Sequence, residues 1–366
     1  MSSPKLIATA KAMVAPGKGI LAIDESNNTC NKRFEKLGIA PTEENRRTYR
    51  ELLLTTPGLG NYINGAILYD ETIRQTTKDG TPFVKVMNDA GILVGIKVDT
   101  GVKGLPNHPA EKITQGLDGL SDVYDGLRLR IAEYVKIGAR FAKWRAVITI
   151  GKGIPSRDCI EDNAQALARY ALLCQQGGLV PIVEPEVLMD GDHTIKRCYV
   201  VTEEVLGTVF DQLHLQGVVL EQIILKPNMV ISGKDCKEQA SVPEVAEATV
   251  KCLLNVVPTA VQSVAFLSGG QSNELATAHL NEMHVRFGST LPWPLTFSFG
   301  RAIQQPALEL WKVQDANVKA AQSALLHRAK CNAAASLGIY SQEMEKSAEL
   351  ALAGYRALQS QLSSHD

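Results

Sequence analysis

The sequence predicts an α/β protein folded as a single (β/α)8 (TIM) barrel, with a helix before the barrel and a helical tail after it. Eight short apolar, β-branched runs alternate with longer segments of helical period. No Pro/Gly/Ser-rich linker and no shift in composition divides the 366 residues. A doubly wound sheet with a second domain is the alternative, but the strand count favours one barrel over residues 1–340 and a tail over 341–366.

The eight predicted strands are nearly continuous apolar runs, which is typical of parallel strands covered on both faces. They are GILAID (19–24), GAILYD (65–70), ILVGIKVD (92–99), ARFAKWRAVI (139–148), GLVPIVEPE (178–186), VVLEQIILK (218–226), QSVAFLSGG (262–270) and PLTFSFGR (294–301). Each run is followed by a segment of helical character, so the chain repeats the βα unit of a barrel.

Capping signals mark where several helices begin and end. Ser3 and Pro4 suit the first turn of a helix that Pro16-Gly17 stops. SVPE (241–244) matches a capping box. After the eighth strand, we expect one helix from about 306 to 336. The tail then carries apolar residues at helical spacing, namely Met344, Ala348, Leu352, Tyr355, Leu358 and Leu362.

The composition excludes several classes of protein. Lysine plus arginine (38) nearly balance aspartate plus glutamate (39) without a long basic run, so we expect no nucleic acid partner. No segment reaches the roughly 20 apolar residues of a membrane span. Seven cysteines are scattered without CxxC spacing, and the amino terminus lacks an apolar signal core. These features predict a globular, cytoplasmic protein with reduced thiols.

Charged and polar residues stand late in the predicted strands. In (β/α)8 barrels the carboxyl ends of the strands converge on one pocket. Each residue alone has an ordinary explanation: Asp24 can cap the next helix, and an isolated strand-end lysine is usually hydrated. Lys143 is harder to explain in this way, because its run stays apolar for several residues after it. The residues that we expect to meet are Asp24, Lys97, Lys143, Glu184, Lys226, Ser268 and Arg301.

Three lysines and two carboxylates in one pocket indicate amine chemistry. A lysine attacks a carbonyl only as the neutral amine, and a reference pKa of about 10.4 leaves little of that form at pH 7. Partial burial and a neighbouring ammonium both favour the neutral form, and Lys143 could be that neighbour to Lys226. The protonated imine that results is an electron sink, so an adjacent bond can break while carboxylates move the protons.

Glycine-rich segments close the seventh and eighth strands, as LSGGQS (267–272) and SFGRA (298–302). Barrel enzymes often bind phosphate there, because backbone N–H groups can approach the ligand over glycines while an arginine or serine completes the site. Either segment alone could be an ordinary loop. Together, at these two strands, they predict a phosphate site.

Several long motifs follow one another in the order GKGILAIDES, TEENRRTYRELL, ITQGLDGL, FAKWR, ARYALLCQQGGLVPIVEPE, DGDH, LKPNMV, FLSGGQS and FSFGRA. In this order they resemble the class I (Schiff-base) fructose-1,6-bisphosphate aldolases over about residues 3–340. The resemblance implies a barrel enzyme of glycolysis and gluconeogenesis that cleaves fructose 1,6-bisphosphate reversibly into dihydroxyacetone phosphate and glyceraldehyde 3-phosphate. It also implies a covalent Schiff base, no metal or other cofactor, sugar phosphates as ligands, and a homotetramer.

The resemblance further implies catalytic roles for individual residues. Lys226 is then the Schiff-base lysine, and Glu184 is the proton acceptor and donor that assists imine formation. Asp24 handles the hydroxyl proton during carbon–carbon cleavage. Lys143 favours the neutral amine and contacts substrate, and Glu186 is a second carboxylate near the imine.

Substrate-binding residues are implied in the same way. One phosphate site matches Ser268, Gly269, Gly270, Ser298, Gly300 and Arg301, and the other matches Ser26, Thr29, Lys32 and Arg33. Lys97 and Arg145 belong to the same polar site. Arg46 is sometimes grouped with substrate binding, and a structural ion pair is the equal alternative for this helical residue.

Two departures from the family pattern limit what the resemblance implies. Gln222 follows Glu221 where the family normally has glycine, and we expect this to change local packing rather than chemistry. Many members end in a tyrosine that assists protonation of the enamine, whereas this chain ends QLSSHD. We expect the tail to pack as a helix, with Tyr355 as the alternative acid.

Three other functions fit the sequence less well. A metal-dependent aldolase needs clustered histidine and acidic ligands, but the seven histidines are dispersed and His193 in DGDH has no partner at metal-ligand spacing. A transaldolase shares the imine chemistry but needs only one phosphate site. A non-enzymatic scaffold that keeps the fold has no need of Lys226, Glu184 and Asp24 together.

Overall fold

The computed structural model describes residues 3–117 and 125–346. Its strands are β1 (Gly19–Ile23), β2 (Ile63–Leu68), β3 (Leu93–Lys97), β4 (Val102–Leu105), β5 (His108–Thr114), β6 (Phe141–Ile148), β7 (Val180–Val187), β8 (Ile224–Leu225), β9 (Ser263–Phe266) and β10 (Leu295–Phe299). All of these except β4 and β5 pair in parallel and close into a barrel in the order β1-β10-β9-β8-β7-β6-β3-β2. The prediction of a (β/α)8 barrel is therefore confirmed.

Helices surround this barrel and connect its strands. They are α1 (Pro4–Met13), α2 (Asn27–Glu35), α3 (Glu43–Leu54), α4 (Asp70–Ile73), α5 (Phe83–Asp89), α6 (Asp125–Ile137), α7 (Arg157–Gly177), α8 (Ile195–Leu215), α9 (Val242–Val256), α10 (Asn273–Phe287), α11 (Arg301–Trp311) and α12 (Val318–Ala335). Single 3-10 turns lie at Leu59–Asn61, Leu220–Gln222 and Asp315–Asn317. Within the two described ranges, no helix combines the length and apolar character that a membrane span requires.

The barrel interior is layered because side chains alternate between the two faces of each strand. In β6, Phe141 points into an apolar interior cluster with Ile182 of β7 and Ile224 of β8. Helix α1 packs against the same cluster through Leu6 and Met13. Two residues further along each strand direction, the next interior position is charged. Lys143 lies above Phe141, Glu184 above Ile182 and Lys226 above Ile224.

The Phe141 ring fits inside the barrel because the neighbouring strand carries a glycine at the contact. A Cβ atom placed on Gly95 of β3 would lie 2.1 Å from the ring. Real Cβ atoms essentially never come so close, so any larger residue at position 95 would push the ring away. The glycine thus fixes the apolar layer on which the charged layer rests.

Two features differ from the sequence prediction. The single helix expected from about 306 to 336 is wrong, because α11 begins at Arg301 and ends before Lys312 and Val313, which have φ angles of 44° and 60°. These left-handed residues break the helical path, and α12 starts anew at Val318. The antiparallel hairpin of β4 and β5 was not predicted, because both strands mix apolar with polar residues and lack an apolar run.

The predicted tail helix lies mostly outside the described residues. Residues 342–346 are helical, in agreement with the prediction at Met344. The remaining tail positions at helical spacing, Ala348, Leu352, Tyr355, Leu358 and Leu362, lie outside the described ranges. Both the packing of the tail and the role of Tyr355 stay predictions.

Candidate active site

A cavity of about 1200 Å³ lies at the carboxyl ends of the barrel strands. The structure brings every predicted site residue except Arg46 to its lining. These residues are Asp24, Ser26, Thr29, Lys32, Arg33, Lys97, Lys143, Arg145, Glu184, Glu186, Lys226, Ser268, Gly269, Gly270, Ser298, Gly300 and Arg301. The convergence expected from strand ends is therefore observed, and the cavity is large enough for a sugar bisphosphate.

At the bottom of the cavity, one carboxylate is shared by two buried lysines. Lys226 Nζ lies 3.1 Å from Glu184 Oε1, and Lys143 Nζ lies 3.2 Å from Glu184 Oε2. Lys143 Nζ also lies 2.6 Å from Asp24 Oδ2. The contact of Lys143 with Glu184 is an ion pair without hydrogen-bond geometry, since Oε2 has no hydrogen-bond partner among the described residues. That oxygen remains able to exchange a proton with a ligand.

The charge states of Lys143 and Asp24 are fixed by each other. Burial alone would raise the pKa of Asp24, but the charges of Lys143 and Lys226 hold that pKa well below its ordinary value. Burial alone would lower the pKa of Lys143, but Asp24 and Glu184 raise it well above its ordinary value. Lys143 is thus a permanent cation at neutral pH, and Asp24 is a carboxylate.

A second layer of charge surrounds this group nearer the mouth of the cavity. Lys97 Nζ lies 2.7 Å from Asp99 Oδ1 and donates to the Asp99 carbonyl oxygen at 2.9 Å. The other Asp99 oxygen accepts from the backbone N–H of Arg145 at 3.2 Å, and Arg145 Nε binds Glu186. Sequence reasoning missed Asp99, although it ends the run that contains Lys97 and its strand-end position was a usable signal.

The loops after β9 and β10 form a corner of the cavity that is rich in hydrogen-bond donors. Gly269 and Gly270 have φ angles of +62° and +96°, which side chains rarely adopt. A Cβ atom on Gly270 would lie 3.0 Å from the Arg301 guanidinium, so glycine lets that group approach the loop. Gly300 precedes the first residue of α11 and supplies no side-chain cap, and the buried Ser298 hydroxyl has no partner among the described residues. These free donors suit a phosphate.

Arg301 experiences an excess of positive charge in this corner. Burial lowers its pKa first, and the neighbouring charges of Arg33 and Arg145 lower it further. Within the described part of the chain, its guanidinium has no ion-pair partner. A bound dianion would neutralise this repulsion, which favours anion binding there.

Helix α2 provides the second group of predicted phosphate residues. Ser26 caps the helix by accepting from the backbone N–H of Thr29 at 3.3 Å, and Lys32 is exposed to the cavity. Arg33 Nη1 pairs with Glu25 Oε1 at 2.6 Å. Glu25 was missed by sequence reasoning, although it directly follows Asp24.

Glu25 fastens this part of the site to the surrounding helices. Its second oxygen pairs with the buried Arg50 of α3 at 2.9 Å, and Gln304 of α11 donates to the first at 2.6 Å. Burial would raise the pKa of Glu25, but Arg33 and Arg50 hold it below its ordinary value. This carboxylate therefore positions Arg33.

Arg46 has a different role from the other predicted residues. Its guanidinium makes two bonds to the Glu71 carboxylate, at 2.8 and 2.7 Å, and a further bond to Asn31 at 2.9 Å. It does not contribute to the cavity lining. This geometry matches the structural ion pair that the sequence left as the alternative, and substrate binding by Arg46 stays a prediction.

The fold and the site together define a class of protein. The barrel is closed, two buried lysines share one carboxylate in its cavity, and further cationic side chains lie beside them. These features are typical of barrel enzymes that act on phosphorylated carbonyl compounds through an amine. The described lining of this cavity contains no histidine, so it offers no histidine cluster to chelate a metal ion.

The chain belongs to the class I fructose-bisphosphate aldolase family, whose model matches residues 5–356. It is 62% identical over 339 residues to the probable fructose-bisphosphate aldolase class 1 of Xanthomonas campestris pv. campestris, with 92% of this chain and 99% of that protein covered. The fructose-bisphosphate aldolase of Dictyostelium discoideum is 51% identical, with 93% of each chain covered. A solved fructose-bisphosphate aldolase structure from Plasmodium falciparum is 47% identical with a TM-score of 0.88, covering 92% of this chain and 95% of that one.

The activity follows from this membership. The enzyme is a lyase of glycolysis that cleaves fructose 1,6-bisphosphate reversibly into dihydroxyacetone phosphate and glyceraldehyde 3-phosphate. Class I members form a Schiff base between substrate and a lysine and use no metal cofactor. The functional expectation drawn from the sequence is confirmed at this level.

Asp24→Asn should destabilise the fold in a pH-dependent way. At pH 7 we expect the free energy of unfolding to fall by about 3–5 kcal/mol, because Lys143 loses a buried partner. The folded-state pKa of Asp24 is depressed, so its carboxylate stabilises the fold above the unfolded-state value near 3.8 and stops doing so as the pH falls through the lower folded-state value. The difference between wild type and variant should therefore shrink below about pH 4.

Urea unfolding at a series of pH values measures this difference. Asp89→Asn is the matched control, since Asp89 pairs with Lys85 at 2.7 Å on the exposed surface and should matter little at any pH. An Asp24→Asn effect that stays equal as the pH is lowered from 7 to about 2 would contradict the assigned charge state.

Proposed function

We propose that Lys226 is the amine that forms the Schiff base. The observation that carries this choice is the different pairing of the three lysines. Lys143 contacts two carboxylates and stays charged, and Lys97 is held by Asp99. Among the residues that the structure describes, Lys226 forms an ion pair with Glu184 alone, at 3.1 Å. One proton transfer from Lys226 to Glu184 is therefore enough to make the Lys226 amine neutral and nucleophilic.

Glu184 is the proposed acid and base of imine formation. The Lys226 amine attacks carbon 2 of the open-chain ketose, and Glu184 then gives a proton to the departing hydroxyl so that water leaves. Glu184 reaches Lys226 through Oε1, and its Oε2 has no hydrogen-bond donor within the described part of the chain, which supports both transfers. Lys143, charged and 3.2 Å from the same carboxylate, stabilises negative charge that develops on the substrate oxygen.

Asp24 is the proposed base of carbon–carbon cleavage. The protonated imine draws the electrons of the bond between carbons 3 and 4, while the carboxylate takes the proton of the hydroxyl on carbon 4. Glyceraldehyde 3-phosphate leaves, and the remaining enamine takes a proton before water releases dihydroxyacetone phosphate. The depressed pKa of Asp24 keeps it ionised at neutral pH, which is the protonation state that a base requires.

The two phosphates are proposed to bind at opposite groups of residues around the cavity. One contacts the loops after β9 and β10, where Ser268, Ser298 and Arg301 supply donors. The other lies near the first turns of α2, at Ser26 and Lys32. Lys97, Arg145 and Glu186 contact the sugar between them. Binding at both ends would hold the scissile bond at Asp24.

The assembly, location and domain limits are also proposals. Family resemblance supports a homotetramer, and residues 1–340 would form the catalytic unit with 341–366 as its tail. The seven cysteines are free thiols and all but Cys236 are buried, which suits a reducing cytoplasm.

Lys226→Met should abolish covalent trapping and turnover while the barrel stays folded. Borohydride reduction in the presence of dihydroxyacetone phosphate should attach the ligand to the wild-type peptide that carries Lys226, and mass spectrometry should find no adduct in the variant. Lys18→Met is the matched control, because Lys18 donates to the Gly60 carbonyl oxygen away from the cavity and should leave trapping intact. An adduct on Lys143 or Lys97 in the wild type would overturn the assignment.

Arg301→Ala should raise KM for fructose 1,6-bisphosphate by well over tenfold, because a charge-assisted contact to phosphate is typically worth about 1.5–3 kcal/mol. The two fructose monophosphates separate the binding sites: the one that lacks the phosphate held by Arg301 should be affected far less. Arg157→Ala, at an 85% exposed side chain outside the cavity, is the control. Equal losses for both monophosphates would refute the proposed role.

A further inference from the structure

A second cluster of ligating side chains lies outside the active-site cavity. His327 and Cys331 are one turn apart on α12, so they share a face of that helix. Glu345, from the helical turn at 342–346, completes the cluster, and its three ligand atoms all lie within 4.8 Å of one another. This is the only group of three such ligands found among the described residues, and none of its members lines the cavity.

The two distances from His327 to the other ligands match those between ligands of a tetrahedral ion, and all three ligand atoms lie within 4.8 Å of one another. Zinc–sulfur and zinc–nitrogen bonds of about 2.3 and 2.0–2.1 Å place S and N ligands about 3.5 Å apart, and N and O ligands about 3.3 Å apart. His327 Nε2 lies 3.4 Å from Cys331 Sγ and 3.1 Å from Glu345 Oε2. An ion could enter with only small movements of these side chains.

The surrounding residues hold Glu345 in a suitable orientation. Arg328 Nη1 and the Tyr340 hydroxyl both donate to Glu345 Oε1, at 2.5 and 2.8 Å. Oε2 is left facing His327, which is how carboxylate ligands are commonly oriented by neighbouring donors. Arg328 is itself fixed to α10, because its Nη2 donates to Thr277 Oγ1 at 2.6 Å.

The charges of the cluster also suit a dication. A thiolate and a carboxylate carry two negative charges and Arg328 contributes one positive charge, so the net charge facing an ion is −1. The combination of thiolate, imidazole and carboxylate is typical of zinc sites rather than of calcium or magnesium sites. Binding would release the proton of the Cys331 thiol.

We propose that His327, Cys331 and Glu345 bind one zinc-class divalent ion, with water as the fourth ligand. The ion links α12 to the segment at 342–346 and so fixes the start of the C-terminal tail to the barrel. Its role is structural and separate from the Schiff-base reaction, because all three ligands lie outside the catalytic cavity.

Cobalt(II) titration of the full, reduced and metal-free chain tests this site. We expect a sulfur-to-cobalt charge-transfer absorption that saturates at one ion per chain and that zinc abolishes. The absorption should be lost in Cys331→Ser. In His327→Gln and Glu345→Gln, the apparent affinity for cobalt should fall at least tenfold. Cys236→Ser is the matched control, since Cys236 is the more exposed thiol and would account for adventitious binding.

Thermal unfolding gives an independent measurement. Zinc should raise Tm of the wild type and of Cys236→Ser but not of His327→Gln, whose 20% exposed side chain can be replaced without opening the core. The metal-free protein should keep its aldolase activity, so failure here leaves the Schiff-base assignment intact. The proposal would be overturned if the wild type showed no charge-transfer band. It would also be overturned if the band were lost in Cys236→Ser but kept in Cys331→Ser.

Discussion

The Glu184 carboxylate, held between the ammonium groups of Lys143 and Lys226, is the interaction on which the site depends. Moving an unpaired charge into a protein interior costs several kcal/mol. Here each buried charge meets an opposite one, at 3.1 Å for Lys226 and at 2.6 Å for the pair of Lys143 and Asp24. Over residues 3–117 and 125–346, the arrangement leaves one Glu184 oxygen without a hydrogen bond, which suits proton transfer more than stability.

The barrel makes this arrangement possible because strands position side chains with a period of two. β6 and β7 pair in register, with Arg145 opposite Glu184 and Val147 opposite Glu186. The interior therefore changes from an apolar layer, closed from below by α1, to a charged layer at the carboxyl ends. A site built on rigid strands holds its groups more closely than one built on loops. The loops supply the phosphate donors instead.

The sequence predicted the parts of the molecule that local patterns determine. Apolar runs located the eight barrel strands, and their ends located Lys143, Glu184 and Lys226 in one cavity. The break between α11 and α12 could not be predicted, because it depends on left-handed residues that are not glycine. The β4–β5 hairpin has no apolar run to reveal it.

Partners that are distant in the sequence were also beyond prediction. Arg46 was uncertain because Glu71, its partner, lies 25 residues away in another helix. The spacing of His327 and Cys331 was visible in the sequence, but Glu345 joins them only through the fold of the chain after α12. Residues adjacent to recognised ones, such as Asp99 and Glu25, had a signal in their position and could have been found.

If Glu184 moves the protons of imine formation, Glu184→Gln should slow that step. Rapid-quench borohydride trapping of dihydroxyacetone phosphate by Glu184→Gln measures the step directly in a single turnover. General acid–base catalysis is worth about 10²–10⁴-fold, so we expect trapping to slow by that factor while the initial, noncovalent affinity for the ligand is kept. Trapping at the wild-type rate would show that Glu184 does not move these protons.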